Sequence, residues 1–365
     1  MSRQATLAEI EEETAAADLA AADLTAAETE GTAAAEMFFQ MATGHWVAKA
    51  IYVAARLGVA DLLTDGPKTA DELAAATAAH APTLRRLMRA LAGVGVFTED
   101  EGGRYGASPL TQFMRRGAGS MRGMVLHLGE TASWLAWDEL LGSVRTGEQG
   151  FKRAHGVEVF PYYAAHPESN EPFNEAMVEL SGVVAAAVVE AYDFSRFGKI
   201  VDVGGGHGGL LTAILRANPD ARGVVFDQPE IVAGARELIG REGLTERCET
   251  EGGDFFEGVT GGGDAYVMKW IIHDWDDERA LTILRNVRRA IPPQGRLLLC
   301  EQVVPEGGGP SPAKMMDLQM LVMTGGRERT ETEYRELLKK AGFELTRVVE
   351  TKSLVSIVEA VPAGD

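Results

Sequence analysis

The residues of this chain whose types and spacing could do chemistry gather at the ends of apolar runs. His273 stands at the exit of the run Ala265 to Ile272, which follows a glycine cluster, and the acidic segment Asp274 to Glu278 leads on into Ala280-Leu281-Thr282-Ile283-Leu284. A strand that ends in histidine and turns into a helix is how open α/β sheets place reactive groups in the crevice at the carboxyl ends of their strands. An imidazole with an ordinary pKa near ~6.5 can take a proton there at neutral pH. The plain alternative is a turn residue that only hydrogen bonds. His45, His127, His155 and His166 read as structural.

A second candidate lies upstream. Lys199-Ile200-Val201-Asp202-Val203 reads as a buried strand that ends in Gly204-Gly205-Gly206-His207-Gly208-Gly209. Glycines after a first strand let the backbone approach a ligand closely, because side chains there would collide with it. The run satisfies both Gly-x-Gly-x-Gly (204, 206, 208) and the dinucleotide pattern Gly-x-Gly-x-x-Gly (204, 206, 209). Asp227, ending the next strand Gly223 to Asp227, would accept hydrogen bonds from ribose hydroxyls in either case. On these features alone a nicotinamide or flavin enzyme and an S-adenosylmethionine (SAM) enzyme stand level.

The elements that must position these groups alternate. Further strands are expected at Ala265 to Trp270 and Arg296 to Cys300, helices at 210–217, 230–240, 278–290 and 331–341, and a closing hairpin of Phe343 to Val348 with Ser353 to Val358. Strands alternating with helices mean a doubly wound α/β sheet. Before it the chain reads mostly as helices. Residues 36–57 carry Met37, Met41, Val47, Ile51, Ala54 and Leu57 at helical spacing, and Thr69 with Glu72 forms a capping box. Pro82 opens a helix with Leu84, Leu87, Met88 and Leu91 on one face, followed by a hairpin signal around Asp100-Glu101-Gly102-Gly103. This order is that of a winged helix-turn-helix.

Winged helices often bind DNA, and Arg85, Arg86 and Arg89 could face phosphates, but the wing tip Glu99-Asp100-Glu101 would be repelled by them. The formal charge of −19 argues against polyanionic partners generally, both nucleic acid and anionic membrane. No run approaches the ~18 consecutive apolar residues of a membrane span. Met1 to Glu30 holds one Arg against eight acidic residues, the reverse of a signal peptide, and is expected to be a disordered or marginally helical tail. The two cysteines, Cys248 and Cys300, read as buried thiols of a cytoplasmic protein.

Three features break the tie over the glycine loop: Gly253-Asp254-Phe255-Phe256, the Lys269-Trp270 pair with His273, and Gly325-Gly326-Arg327-Glu328-Arg329-Thr330. Together with Pro172-Phe173-Asn174-Glu175-Ala176-Met177 they closely resemble the SAM-dependent small-molecule O-methyltransferases, the group of plant caffeic acid O-methyltransferase and bacterial polyketide enzymes such as carminomycin O-methyltransferase. The resemblance runs from about residue 37 to the end.

It implies a Rossmann-like SAM-binding domain over 191–365, preceded over 33–190 by a helical, winged-helix dimerisation domain carrying acceptor-pocket helices, with the acidic tail at 1–32. By similarity, Gly204, Gly206 and their loop would hold the amino-acid end of SAM and Asp227 its ribose. Asp254 and Phe255 would frame the adenine, with Lys269 and Trp270 alongside. His273 matches the family's general base, Glu301 and Glu328 the carboxyl residues flanking it, and Phe173, Met177, Leu180, Met320 and Met323 the acceptor pocket.

The chemistry suits these types. A phenol with a pKa near ~10 is protonated at neutral pH, and a histidine that takes its proton in the transition state typically gains about 10²–10⁴ in rate. A carboxylate on the other ring nitrogen would fix the tautomer and support the imidazolium. No metal is required, and no HxxxH, HxH or clustered carboxylate spacing demands one. The expectation is thus a cytoplasmic homodimer that methylates a hydroxyl of an aromatic secondary metabolite, away from nucleic acid and membrane. Its rivals are a SAM-binding relative that hydroxylates or decarboxylates its substrate, a ligand-sensing winged-helix DNA regulator, and a dinucleotide oxidoreductase. Glu301 and Glu328 alone would read as surface carboxylates, and Phe173 with Met177 as core packing. His207 in the glycine loop has no firm account.

Overall fold

The computed structural model describes residues 7–117 and 119–364, with side chains from residue 31 onward. It divides into two compact units, one ending at Thr111 and the other beginning at Gln112. The division falls well before residue 190, so the helices expected to belong with the first region over 112–190 sit in the second unit.

The first unit holds α1 (Leu7–Arg56), α2 (Val59–Leu62), β1 (Lys68–Thr69), α3 (Ala70–Thr77), α4 (Ala81–Gly93), β2 (Phe97–Glu99) and β3 (Arg104–Ala107). The helix expected over 36–57 is the end of the 50-residue α1. The tail expected over 1–32 meets a backbone that is helical from Leu7, while residues 1–6 lie outside the described residues. The capping box on α3 is present: Thr69 Oγ1 accepts from Glu72 N at 3.2 Å and Glu72 Oε2 from Thr69 N at 2.6 Å. Leu84, Met88 and Leu91 form the buried stripe of α4. β2 and β3 pair antiparallel, and β1 pairs with β3, closing a three-stranded wing. Asp100 shapes its turn, Oδ1 accepting from Gly102 N and Arg104 N at 2.9 Å each. Of the arginines considered for phosphate, Arg85 is paired with Asp71 at 3.3 Å.

The second unit starts with six helices, α5 (Arg122–Gly129), α6 (Thr131–Asp138), α7 (Leu140–Thr146), α8 (Gly150–His155), α9 (Val159–Ala165) and α10 (Pro167–Ala191). Alternation follows: β4 (Lys199–Val203), α11 (Gly209–Ala217), β5 (Arg222–Asp227), α12 (Pro229–Arg241), β6 (Cys248–Gly252), β7 (Ala265–Lys269), α13 (Asp277–Ala290), β8 (Arg296–Glu301), β9 (Val303–Val304), α14 (Pro312–Met323), β10 (Arg329–Thr330), α15 (Glu331–Lys340), β11 (Phe343–Glu350) and β12 (Ser356–Pro362). By length and composition α10 could cross a membrane, with mean hydropathy 1.3 over its most apolar stretch, yet 33% of that stretch is buried against neighbouring elements.

Seven strands form one sheet in the order β11-β12-β8-β7-β4-β5-β6. Pairing is parallel from β6 to β8, and β12 runs antiparallel to both its neighbours. Alternate residues feed opposite faces, as the two-residue period requires. Ile200, Val225, Val267 and Leu298 pack toward α10, α11 and α12, while Val201, Val203, Met268 and Leu299 pack toward α13 and α15. The chain runs from β4 outward to β5 and β6, then returns to lay β7 on the other side of β4. This is the switch point at which open sheets form their ligand crevice.

Several strand ends differ from expectation, and two of the differences have a visible cause. β7 stops at Lys269 because Trp270 takes a left-handed φ of 56°, and β12 starts at Ser356 because Thr351 and Ser353 hydroxyls hold the preceding residues in a turn.

Candidate active site

At the switch point the ends of β4 and β7 lie side by side, with Asp202 opposite Val267. β7 delivers Lys269, and a left-handed φ is uncommon for a non-glycine residue such as Trp270 and turns the chain sharply. The turn is held from below by Glu301 at the end of β8, whose Oε1 accepts from Ile271 N at 3.1 Å and Ile272 N at 2.9 Å. A short 3₁₀ turn, Ile272–Asp274, then presents His273, and Asp276 caps α13 through Arg279 N at 2.8 Å.

His273 is 7% exposed and surrounded by carboxylates. Its Nδ1 lies 2.8 Å from Glu328 Oε1 and 3.8 Å from Glu301 Oε2, and its Nε2 lies 3.8 Å from Asp274 Oδ1. The 2.8 Å contact is a hydrogen bond, donated by Nδ1–H to the carboxylate. It fixes the tautomer and leaves Nε2 as the nitrogen able to accept a proton when the ring is neutral. Burial alone would depress the His273 pKa, but the charges of Glu301, Asp274 and Glu328 outweigh it and lift it to about 10. Burial pushes Glu301 up to about 7 and Asp274 up to about 6, against the pull of His273. Oε2 of Glu301 and Oε2 of Glu328 are buried without a hydrogen-bond partner, so the cluster has spare acceptor capacity. The three residues' ligand atoms lie within 4.8 Å of one another, a spacing a cation could also bridge, but the hydrogen bond already satisfies the Nδ1 atom.

Of the cofactor residues expected from sequence, Gly204, Gly206, Asp227, Asp254 and Phe255 follow β4, β5 and β6, while Lys269 and Trp270 lie at the end of β7. Gly204, Gly206 and Gly208 all have positive φ, at 69°, 56° and 78°. A Cβ on Gly204 would stand 2.4 Å from Ile271 Cδ1, whereas above Gly206 nothing lies within 4 Å. Asp227 straddles the loop, with Oδ2 accepting from Gly206 N at 2.8 Å and Oδ1 from Gln228 N at 2.7 Å. Burial raises its pKa above the usual carboxylate range. Beneath the loop Asp202 is 1% exposed, has an unpartnered Oδ2 and is pushed by burial up to about 7. Phe255 closes the side of the loop, its Cε1 3.6 Å from the position of a Cβ on Gly204, and Asn286 Nδ2 holds its carbonyl at 2.7 Å. Asp254 caps its own turn through Phe256 N at 2.8 Å. An open-edged cradle with an orphaned buried carboxylate oxygen fits a ligand bearing an ammonium group and a ribose, as SAM does.

Lys269 reaches α10. Its Nζ donates to Ser181 Oγ on α10 at 3.0 Å and sits 4.3 Å from the centre of the Trp270 ring. Burial lowers its pKa, while Asp202, Cys300 and Glu301 pull it back up.

The acceptor candidates lie on two helices. Phe173, Met177 and Leu180 are half-buried on α10, and Met320 and Met323 are buried on α14. Phe173 stacks on Tyr163 at 5.0 Å and meets His127 edge-on at 5.3 Å, and Met323 belongs to the same apolar cluster. Phe160 links this group to Trp275, two residues past His273, with ring centres 6.1 Å apart. His127, expected to be structural, stands against Phe173, and burial lowers it to about 4, so it is uncharged near neutral pH. Sequence reasoning missed Ser181, Asp274 and Arg329 as site residues. Arg329 sits inside a motif that was singled out, so its adjacency to Glu328 was the available signal.

This geometry has close counterparts. Residues 137–344 match the O-methyltransferase domain family and residues 39–116 the O-methyltransferase dimerisation domain. The chain is 48% identical over 327 residues to the phenazine O-methyltransferase of Lysobacter antibioticus, spanning 89% of this chain and 96% of that protein. The solved structure of mitomycin 7-O-methyltransferase is similar with a TM-score of 0.87 and 40% identity, over 93% of this chain and 100% of that one. An O-methyltransferase from neocarzinostatin biosynthesis, solved with SAM and 2-hydroxy-5-methyl naphthoic acid, gives a TM-score of 0.76 and 34% identity over 87% and 96% of the two chains. With the cradle at the switch point and the histidine–carboxylate cluster beside it, the chain belongs to the SAM-dependent O-methyltransferase family.

Proposed function

We propose that this enzyme methylates a phenolic hydroxyl on a planar, fused-ring acceptor of the phenazine type, with His273 as general base. The observation that carries the reading is the buried His273 Nδ1–Glu328 Oε1 hydrogen bond of 2.8 Å, presented at the crevice by a turn that Glu301 holds. Gly204, Gly206 and their loop would hold the amino-acid end of SAM, Asp227 the ribose, Asp254 and Phe255 the adenine, with Lys269 and Trp270 flanking. SAM supplies a methyl already activated on a sulfonium, so the protein has only to place the acceptor oxygen in line and take its proton. Nε2 of His273 takes that proton, Glu328 keeps the ring's orientation, and the surrounding carboxylates stabilise the imidazolium that results.

A fused-ring acceptor is supported by the phenazine relative and by the aromatic wall of Phe160, Tyr163, Phe173 and Trp275. Phe173, Met177, Leu180, Met320 and Met323 would line it, the methionines adapting to ring shape. We infer further that the enzyme works as a homodimer, in the cytoplasm, apart from nucleic acid and membrane, which its charge of −19 would repel.

The test is incubation with methyl-deuterated SAM and a panel of hydroxyphenazines, hydroxynaphthoates and monocyclic phenols, read by mass. The labelled methyl is expected on a hydroxyphenazine; label on monocyclic phenols alone overturns the acceptor class. His273→Ala is expected to lower turnover by about 10²-fold or more, in line with general-base catalysis, while SAM still binds. Unchanged turnover would remove His273 from the role.

A further inference from the structure

We propose that Arg329 is a positioning residue for the His273–Glu328 pair: one buried guanidinium ties the turn that bears the histidine to the strap that bears the carboxylate. The inference rests on His273 being the base. Arg329 is 1% exposed, and a buried charge is costly unless it is paired and its hydrogen bonds are satisfied. Here all five N–H donors are used. Nε and Nη2 donate to Asp277 Oδ1 at 3.1 and 2.8 Å, Nη1 to Ile272 O at 3.1 Å and Arg327 O at 3.3 Å, and Nη2 also to Trp275 O at 3.0 Å.

Those carbonyls lie on both of the segments that hold the pair. Ile272 and Trp275 bracket His273 along the turn, and Arg327 immediately precedes Glu328. A rigid planar fork that touches both segments sets the distance between them, and with it the separation of Nδ1 and Oε1. Other contacts press the same two segments together. Arg327 N donates to His273 O at 2.8 Å, and a Cβ on Gly326 would fall 1.9 Å from that same oxygen. β10 pairs with β9, setting Arg329 opposite Val303 just beyond Glu301. With every donor engaged by the protein, Arg329 has none left for an acceptor or cofactor, so its effect must pass through His273 and Glu328. A lysine there keeps the charge beside Asp277 but has a single nitrogen, which cannot serve the spread of carbonyls.

The deciding variant is Arg329→Lys in the full-length enzyme, checked for folding by circular dichroism and gel filtration. A misplacement of about 1 Å can cost about 10²-fold in turnover. We expect a kcat lower by that order with a hydroxyphenazine acceptor, an acceptor KM and a SAM Kd each within about twofold of wild type, and no further loss when the change is added to His273→Ala. The low-field proton resonance of His273 Nδ1–H, read by NMR without any acceptor, should move or vanish. A folded Arg329→Lys enzyme with wild-type kcat and an unmoved resonance overturns the proposal. If that variant fails to fold, Asp277→Asn decides: a several-fold lower kcat with a shifted resonance supports the tie, and no change in either overturns it. Unchanged turnover in His273→Ala would instead sink the base assignment, while the resonance still reports whether Arg329 sets the pair.

Discussion

At the scale of residues, the proposed base is an imidazole whose two nitrogens have different surroundings. Nδ1 is committed to Glu328, so only Nε2 can take a proton, and only while it carries none. The charges that would stabilise the imidazolium in the proposed transition state also hold that second proton in the resting enzyme. Burial opposes this, but Glu301, Asp274 and Glu328 prevail and lift the ring to about 10. The sign for activity follows: the productive neutral ring grows as pH rises, so kcat should climb on the alkaline side of neutrality. Among the raising influences Glu301 comes first. Glu301→Gln keeps a carbonyl oxygen for Ile271 N and Ile272 N while removing the charge. Its rising limb should therefore move to lower pH by about one unit, the order expected for loss of one nearby charge. A limb that stays put, or moves to higher pH, would show that Glu301 serves the turn alone.

At the scale of elements, two irregular pieces of chain do what the regular ones cannot. The turn after β7 and the strap Gly325 to Arg329 are each short, and they fit because neither carries bulk at its contact. Gly326 is the tightest point, since a Cβ would meet His273 O at 1.9 Å, Asp274 C at 2.4 Å and Trp275 N at 2.7 Å, all backbone atoms that cannot rotate aside. Gly326→Ala should push the strap off the turn, lengthen the His273–Glu328 hydrogen bond and lower kcat by about tenfold or more, as small misplacements at a reacting centre do. SAM binding, which we assign to the loop after β4, should persist. Wild-type kcat in a folded Gly326→Ala enzyme would mean the strap can dock in another way. How far this was legible in the sequence also divides by element. His273 and the glycine loop announce themselves because an apolar strand with an abrupt polar or glycine end is a local pattern. Glu301 is local too, but its grip on Ile271 and Ile272 is tertiary. Glu328 lies 55 residues from His273, and nothing in spacing joins them, so only the resemblance did. Ser181 reaching Lys269 from α10 was invisible for the same reason, since 88 residues separate them and helical periodicity says nothing about a partner strand. The end of β7 was misjudged by one residue because no propensity foretells a left-handed tryptophan.

At the scale of the whole molecule, the first unit poses a physical question that its own packing leaves unanswered. A helix of 50 residues rises about 75 Å at about 1.5 Å per residue, far longer than the small three-stranded wing and short helices beside it. On it Met37, Phe38, Phe39, Met41 and Trp46 are 58%, 74%, 62%, 71% and 61% exposed, a run of large apolar side chains in a chain that otherwise carries a charge of −19. Isolated apolar residues on a surface need no explanation, but a contiguous set marks a place where another surface sits. The match of residues 39–116 to a dimerisation domain supports the second copy proposed above as the occupant, and a shared apolar seam would overcome the repulsion between two acidic chains only by excluding water from it. The wild-type enzyme should therefore scatter light as twice its 39.1 kDa chain. Phe38→Glu combined with Trp46→Glu places four like charges across a two-fold seam and should leave a species of the single-chain mass, with the β4–β12 sheet unit still folded. A wild-type enzyme of single-chain mass would overturn the second-copy assignment, and a double variant that stays dimeric would move the seam away from this stretch of α1.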